Sequence, residues 1–145
     1  MSTTKRARVG GSRFAMAAGI VGLIIDATYL GIIFEQGDAE VGRVAVVVVF
    51  LLAVSLLALA GAFASTPSAR TRLTLLGAAT GGLLTAGVVG IFSIGLPLLV
   101  AGVACGVAWA RFARAERPVP AGAPLLSAMA AIGTGAFLVL GIALS

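Results

Sequence analysis

The apolar positions of this chain come in long runs that short polar segments separate. The first run extends from Phe14 to Phe34 and the second from Val44 to Ala64. An uncharged tract follows from Leu73 to Phe112, and a last run extends from Leu125 to Leu144. Runs of roughly 20 apolar residues have the length that an α-helix needs to cross the hydrocarbon core of a bilayer. The pattern therefore predicts an all-α, polytopic integral membrane protein.

The tract from Leu73 to Phe112 is too long for a single span. As one helix its 40 residues would extend about 60 Å, whereas the hydrocarbon core is about 30 Å thick. The segment "FSIGLP" at 92–97 contains Gly95, which loosens the backbone, and Pro97, which suits the first turn of a new helix. Dividing the tract into spans 73–91 and 96–112 gives a bundle of five transmembrane helices.

The positions of the charged residues predict the orientation of these helices. Basic residues cluster at 5–13, 70–72 and 111–117, and Arg43 stands alone. With five spans and a cytoplasmic N-terminus, nine of the ten basic residues lie inside, as the positive-inside rule requires. Four spans would place the cluster 111–117 outside. We therefore expect a basic cytoplasmic tail at 1–13, a single transmembrane domain at 14–145 and an external C-terminus.

Composition supports a membrane protein and argues against other classes. Hydrophobic residues make up 60% of the 145 residues and charged residues only 10%, whereas a soluble domain has about a quarter charged residues. The net charge of +5 raises the question of nucleic-acid binding. The basic residues flank apolar runs, however, so topology explains them and we predict no nucleic-acid partner. The basic tail could also contact anionic lipid.

The first apolar run is predicted to be a retained span, although a cleaved signal peptide is the alternative. The run is longer than a signal core, Asp26 interrupts it, and no small-residue cleavage site follows it. The chain is rich in Ala, Gly, Val and Arg and has one lysine. In this it resembles small membrane proteins of high-GC bacteria, which implies the plasma membrane, here a bacterial inner membrane. That resemblance assigns no role to any residue.

Aromatic and small residues indicate how the spans meet lipid and each other. Aromatic side chains near the predicted span ends are interpreted as interfacial anchors: Phe14, Phe34, Phe63, Phe92, Trp109 and Phe112. Small residues within spans let helix backbones approach closely in lipid. The candidate packing positions are Gly19 and Gly22 in the first span and the GxxxG pair Gly102 and Gly106 in the fourth.

Asp26 is the one acidic residue inside a predicted span. Positions 15, 19, 22, 26 and 29 share one helical stripe, so the acid lies on the same face as Gly19 and Gly22 and should point into protein. Three interpretations remain open: a protonated acid bonded to a neighbouring helix, a proton- or cation-binding site, or a docking point for a partner's basic residue. Polar residues near mid-span could reach it: Ser55, Thr80, Thr85, Cys105 and Thr134. Of these, Ser55 and Thr85 are the candidate partners in an intramembrane polar site.

The residues that most enzymes need are missing from this sequence. It has no histidine and a single cysteine, Cys105, so we predict no metal site and no cofactor. The glycine-rich segment 77–84 lies in an apolar run and lacks a P-loop lysine, which indicates helix packing. Glu35, Asp38 and Glu40 could weakly hold a divalent cation, but a solvated hairpin loop is the expected reading because their spacing matches no ligand motif.

These observations favour a non-enzymatic accessory, assembly or interaction subunit of a membrane. Its expected partners are the lipid bilayer and other membrane protein subunits or further copies of the chain. The alternative is a small proton- or cation-coupled transporter or pore that uses Asp26. A lipid-modifying enzyme is disfavoured because Asp26 has no second acid with which to pair.

Overall fold

The computed structural model describes residues 3–36, 41–63, 68–90, 95–116, 119 and 121–144. These residues form five α-helices: α1 (Thr3–Gln36), α2 (Val41–Phe63), α3 (Ala69–Val89), α4 (Gly95–Ala115) and α5 (Ala123–Leu144). All five are long and apolar enough to span a membrane. The predicted all-helical fold is thereby confirmed, as is the prediction of five helices that are each able to cross a membrane.

Local chemistry explains where α3 begins and ends. Ser68 caps its first turn, because the Ser68 hydroxyl accepts a hydrogen bond of 3.2 Å from the Thr71 amide. At the other end the Gly90 amide donates to the Ala86 carbonyl, and the Gly95 amide donates to the Gly90 carbonyl at 2.7 Å. A Cβ at Gly95 would lie only 2.5 Å from the Gly90 carbonyl carbon. The tight turn after α3 therefore depends on Gly95, and Pro97 lies in the first turn of α4, as predicted.

Helix α3 is at the centre of the bundle and packs against α2, α4 and α5, while α1 packs against α2 and α4. Consecutive helices from α1 to α4 run in opposite directions, and α5 runs parallel to α3. One end of the bundle, which we call the basic end, carries the starts of α1, α3 and α5 and the ends of α2 and α4. The arginines of this end whose side chains the structure describes are Arg13, Arg70, Arg72, Arg111 and Arg114. We call the other end the distal end.

Helix α1 extends beyond the predicted first span. The segment 3–13, predicted to be a basic cytoplasmic tail, is helical and continuous with that span. Two contacts hold the residues nearest to the span against the bundle. The Ser12 hydroxyl donates to the Ala62 carbonyl of α2 at 3.1 Å, and a Cβ at Gly11 would lie 3.0 Å from the Phe112 ring of α4. The bundle therefore stays packed for nearly one turn before Phe14.

The anchor interpretation of the aromatic residues needs a correction at Phe112. This side chain is only 2% exposed and packs between Gly11 of α1 and the Arg72 guanidinium, which lies 4.9 Å from the ring centroid. It is a core residue because the α1 backbone covers one of its faces. Phe34 and Phe63 are exposed as anchors would be, whereas Phe92 lies outside the described residues.

Glycines lie where helices approach each other most closely, but the predicted packing glycines differ in how close their contacts are. Gly19 lies against Leu59 and the Ser55 carbonyl of α2. Gly102 lies against Leu84 of α3, whose amide nitrogen would be 3.1 Å from an added Cβ. At Gly106 the nearest atom to such a Cβ would be a Thr80 methyl group at 3.4 Å, which is an ordinary contact. In the GxxxG pair, close packing therefore depends on the first glycine.

Candidate functional site

The stripe that carries Asp26 faces the interior of the bundle. Ala15, Gly19, Gly22 and Asp26 are buried and Tyr29 is partly buried. Asp26 is 5% exposed, and its Oδ1 atom has no hydrogen-bond partner among the described residues. The hydrogen bond to a neighbouring helix that the sequence suggested is therefore not formed at this oxygen. A docking role is also disfavoured, because a partner's basic side chain would have to enter the bundle to reach Asp26.

Ser55 of α2 is the predicted polar partner that the structure brings closest to this face. A Cβ at Gly22 would collide with the Ser55 hydroxyl, so Ser55 lies directly across from Gly22. Gly22 precedes Asp26 by one helical turn, about 6 Å along the axis of α1. Ser55 is completely buried and its hydroxyl also lacks a hydrogen-bond partner among the described residues. Two unpaired buried polar groups thus lie on adjacent helices within about one turn of each other.

Thr85, the other predicted partner, faces away from Asp26. Its hydroxyl donates to the Gly81 carbonyl at 2.9 Å and lies beside Gly135 of α5. The side of α3 that faces α1 is marked instead by Leu83, which would lie 3.7 Å from a Cβ at Gly22. Two residues further along a helix correspond to a rotation of about 200°. This rotation turns Thr85 toward α5 and away from α1.

The remaining polar candidates are also engaged elsewhere. The Thr134 hydroxyl of α5 donates to the Ala78 carbonyl of α3 at 3.0 Å. The Thr80 hydroxyl donates to the Leu76 carbonyl at 2.7 Å, and the Cys105 thiol donates to the same carbonyl at 3.6 Å. These bonds satisfy backbone and side-chain groups at the interfaces of α3 with α4 and α5. Of the polar candidates, only Ser55 belongs to the Asp26 side of the bundle.

A cavity of about 150 Å³ lies on the distal side of this pair. All five helices contribute to its wall, with Tyr29, Leu51, Ala86, Leu98 and Leu138 among the lining residues. Tyr29 is the next stripe position after Asp26, and Leu51 precedes Ser55 by one turn of α2. The cavity therefore begins about one helical turn beyond both unpaired groups. Its lining is predominantly apolar.

The core on the other side of Ser55, toward the basic end, is closed. Leu73 and Leu76 of α3 and Phe112 of α4 are almost completely buried there. Small residues fill the space between them: Ala15, Ala18, Ala58, Ala62, Ala79 and Ala108. The Asp26 region therefore has a cavity toward the distal end of the bundle and a closely packed apolar core toward the basic end.

The predicted acidic cluster between α1 and α2 is only partly described. Glu35 is exposed, whereas Asp38 and Glu40 lie outside the described residues. Within the described ranges, no group of three or more His, Cys, Asp or Glu side chains is placed to hold a metal ion.

Sequence reasoning missed an arrangement of charge at the basic end. Arg13 and Phe14 of α1 line a cleft together with Arg111 of α4. The Arg111 guanidinium lies 4.7 Å from the centroid of the Phe14 ring, within the range of a cation–π interaction. The sequence did contain a signal for this arrangement, because the basic clusters 5–13 and 111–117 were both predicted to lie on the cytoplasmic side. The adjacency of α1 and α4, which brings them together, was not predicted.

Comparison with known proteins gives no match: neither a family model, nor a curated protein, nor a solved structure is significantly similar to this chain.

Proposed function

We propose that this chain is a non-enzymatic membrane subunit that packs against other membrane proteins or against further copies of itself. The observation that carries this proposal is the closed core between Ser55 and the basic end. Leu73, Leu76 and Phe112 fill it, so the described residues of a single copy offer an ion no polar route between the two ends. Asp26 also lacks a second buried acid among the described residues, which argues against acid–base catalysis.

The outer faces of the helices supply the contact surface that such a subunit needs. Helix α5 packs mainly against α3 and leaves large apolar side chains exposed: Leu125, Met129, Ile132, Phe137 and Leu140. In a bilayer these side chains contact lipid or the helices of a partner. The clustering of arginines at the basic end supports a cytoplasmic location for that end, in the plasma membrane of a bacterium.

The proposal predicts a fixed native composition. When the chain is extracted gently from its own membrane at native expression level, we expect its native mass to exceed 14.3 kDa by a constant increment. That increment should correspond to a second membrane protein or to whole copies of the chain. Native mass spectrometry from lipid nanodiscs measures it directly. A monomer under these conditions, with no other subunit, would contradict the proposal.

A second candidate function is supported by the pair Asp26 and Ser55. Two buried polar groups without partners, next to a cavity at one end of the bundle, suit a small proton- or cation-coupled transporter or pore. The closed core then requires either an opening movement or an oligomer in which several copies form the route.

This second candidate predicts a flux that depends on Asp26. In proteoliposomes, the wild-type chain should carry protons or monovalent cations, and Asp26→Asn should reduce that flux at least about tenfold, since intramembrane acids are binding groups. Ser55→Ala should reduce it less. Ser127→Ala is the matched control, because the Ser127 hydroxyl is buried but donates to the Ala123 carbonyl at 2.8 Å. Wild-type flux at background would exclude transport by the isolated chain and favour the subunit proposal.

A further inference from the structure

The cleft between α1 and α4 at the basic end has the composition of a headgroup site. It has a volume of about 360 Å³ and is lined by Arg13, Phe14 and Ala17 of α1 and by Arg111 of α4. Both arginines are exposed, and Phe14 is 38% exposed. Among the side chains that the structure describes, none that lines the cleft is acidic. Two guanidinium groups thus flank a partly apolar depression.

Two contacts hold this cleft in shape. The Arg111 guanidinium lies over the Phe14 ring at 4.7 Å from its centroid, which restricts a side chain that is otherwise flexible. One turn away, a Cβ at Gly11 would lie 3.0 Å from the Phe112 ring, so α1 and α4 are in close contact. The spacing of the two helices and the position of the Arg111 guanidinium are therefore set in part before any ligand arrives.

The cleft lies near the ends of two helical segments that are long and apolar enough to span a membrane. By length and composition these segments are Gly11–Glu35 of α1 and Gly95–Ala115 of α4. Arg13 and Arg111 lie near an end of each, which in a bilayer corresponds to the polar headgroup region. Phosphate groups of phospholipids occupy this region, and arginine binds phosphate through parallel N–H donors. Charge and depth therefore both match a phosphate-bearing headgroup.

An apolar track leads from the cleft toward the middle of the membrane. On α1 the exposed residues Ile20, Val21 and Ile24 follow Ala17 at helical spacing. On α4 the exposed residues Val107, Val103 and Val100 precede Arg111 at the same spacing. A lipid whose phosphate lay between the arginines would have its acyl chains along this track. A free phosphate ion would leave the track unused.

We propose that this cleft is a binding site for one anionic phospholipid, with Arg13 and Arg111 holding its phosphate and Phe14 positioning Arg111. Basic residues near the membrane surface attract anionic lipids, so two arginines favour an anionic headgroup over a zwitterionic one. The site is a property of the basic end itself and does not depend on the function of Asp26.

Native mass spectrometry of the detergent-solubilised chain, titrated with phosphatidylglycerol or phosphatidylcholine, tests this site. We expect the wild-type chain to bind one phosphatidylglycerol more tightly than phosphatidylcholine. The double variant Arg13→Gln/Arg111→Gln should lose about tenfold or more of that preference. The matched control is Arg70→Gln/Arg114→Gln, which removes the same charge at two exposed positions of the same end and should keep the preference.

A third variant and folding controls separate loss of the lipid site from loss of charge or of folding. Phe14→Leu leaves both charges in place and should weaken phosphatidylglycerol binding by releasing Arg111. Circular dichroism and thermal unfolding verify that each variant is folded. Equal losses in the two double variants would show diffuse attraction and overturn the proposal. A wild-type chain without preference would also overturn it, as would a chain that binds inorganic phosphate as tightly as the lipid.

Discussion

The Gly81→Ala substitution is expected to separate α5 from α3 and to lower the free energy of unfolding by about 2 kcal/mol. A Cβ at Gly81 would lie 2.5 Å from the Ala131 Cα atom and 2.6 Å from its carbonyl carbon. Both are backbone atoms, so no change of rotamer can relieve the overlap. Overpacking costs about 1–3 kcal/mol, and alanine regains at most about 1 kcal/mol of helix propensity. Reversible unfolding in mixed micelles measures the difference.

Gly133→Ala is the control for this prediction. It introduces the same methyl group into α5, but nothing lies within 4 Å of the added Cβ. We expect its stability to be unchanged or slightly raised, because alanine favours helix more than glycine does. Gly81→Leu should have a larger effect than Gly81→Ala and prevent recovery of folded protein. If Gly81→Ala and Gly133→Ala were equally stable, the close contact between α3 and α5 would be refuted.

The apolar pattern was sufficient to place the five helices along the chain, because bilayer thickness sets the length of a span. The uncharged tract could be divided correctly since Gly95 and Pro97 mark the turn. The predicted start of the first span, Phe14, lies three residues after the start of the segment of α1 that is apolar enough to span a membrane, Gly11. Charged residues in 3–13 suggested a tail, whereas contacts of Gly11 and Ser12 with α4 and α2 extend the packed helix.

Side-chain partners across the bundle were harder to predict than the helices. These helices are apolar on nearly all sides, so the sequence does not indicate which helix a given face contacts. Asp26 could be placed on an interior face because it shares a stripe with Gly19 and Gly22. Thr85 could not be assigned in this way, and the structure turns it toward α5. The cleft at Arg13 likewise depends on α1 lying beside α4.

The Asp26→Leu substitution is expected to stabilise the chain by about 1–3 kcal/mol, which is the range that a buried polar group without a hydrogen-bond partner costs. Leucine has the same number and branching of side-chain heavy atoms as aspartate, so it can fill the space that the 5% exposed Asp26 side chain occupies. It also removes the unpaired Oδ1 atom. Unfolding in mixed micelles, compared between wild type and variant, gives the change.

Asp26→Asn keeps the polarity of the side chain and should leave stability close to that of the wild type, which separates loss of polarity from loss of charge. A lower stability of Asp26→Leu would instead mean that the carboxyl group makes a stabilising contact in the membrane. That result would support the interpretation of Asp26 as a protonated acid bonded to a neighbouring helix. A higher stability would mean that the chain carries a group that its fold does not need. Such local conflicts between sequence and fold concentrate at functional sites, and the flux of Asp26→Asn in proteoliposomes would then become the decisive comparison.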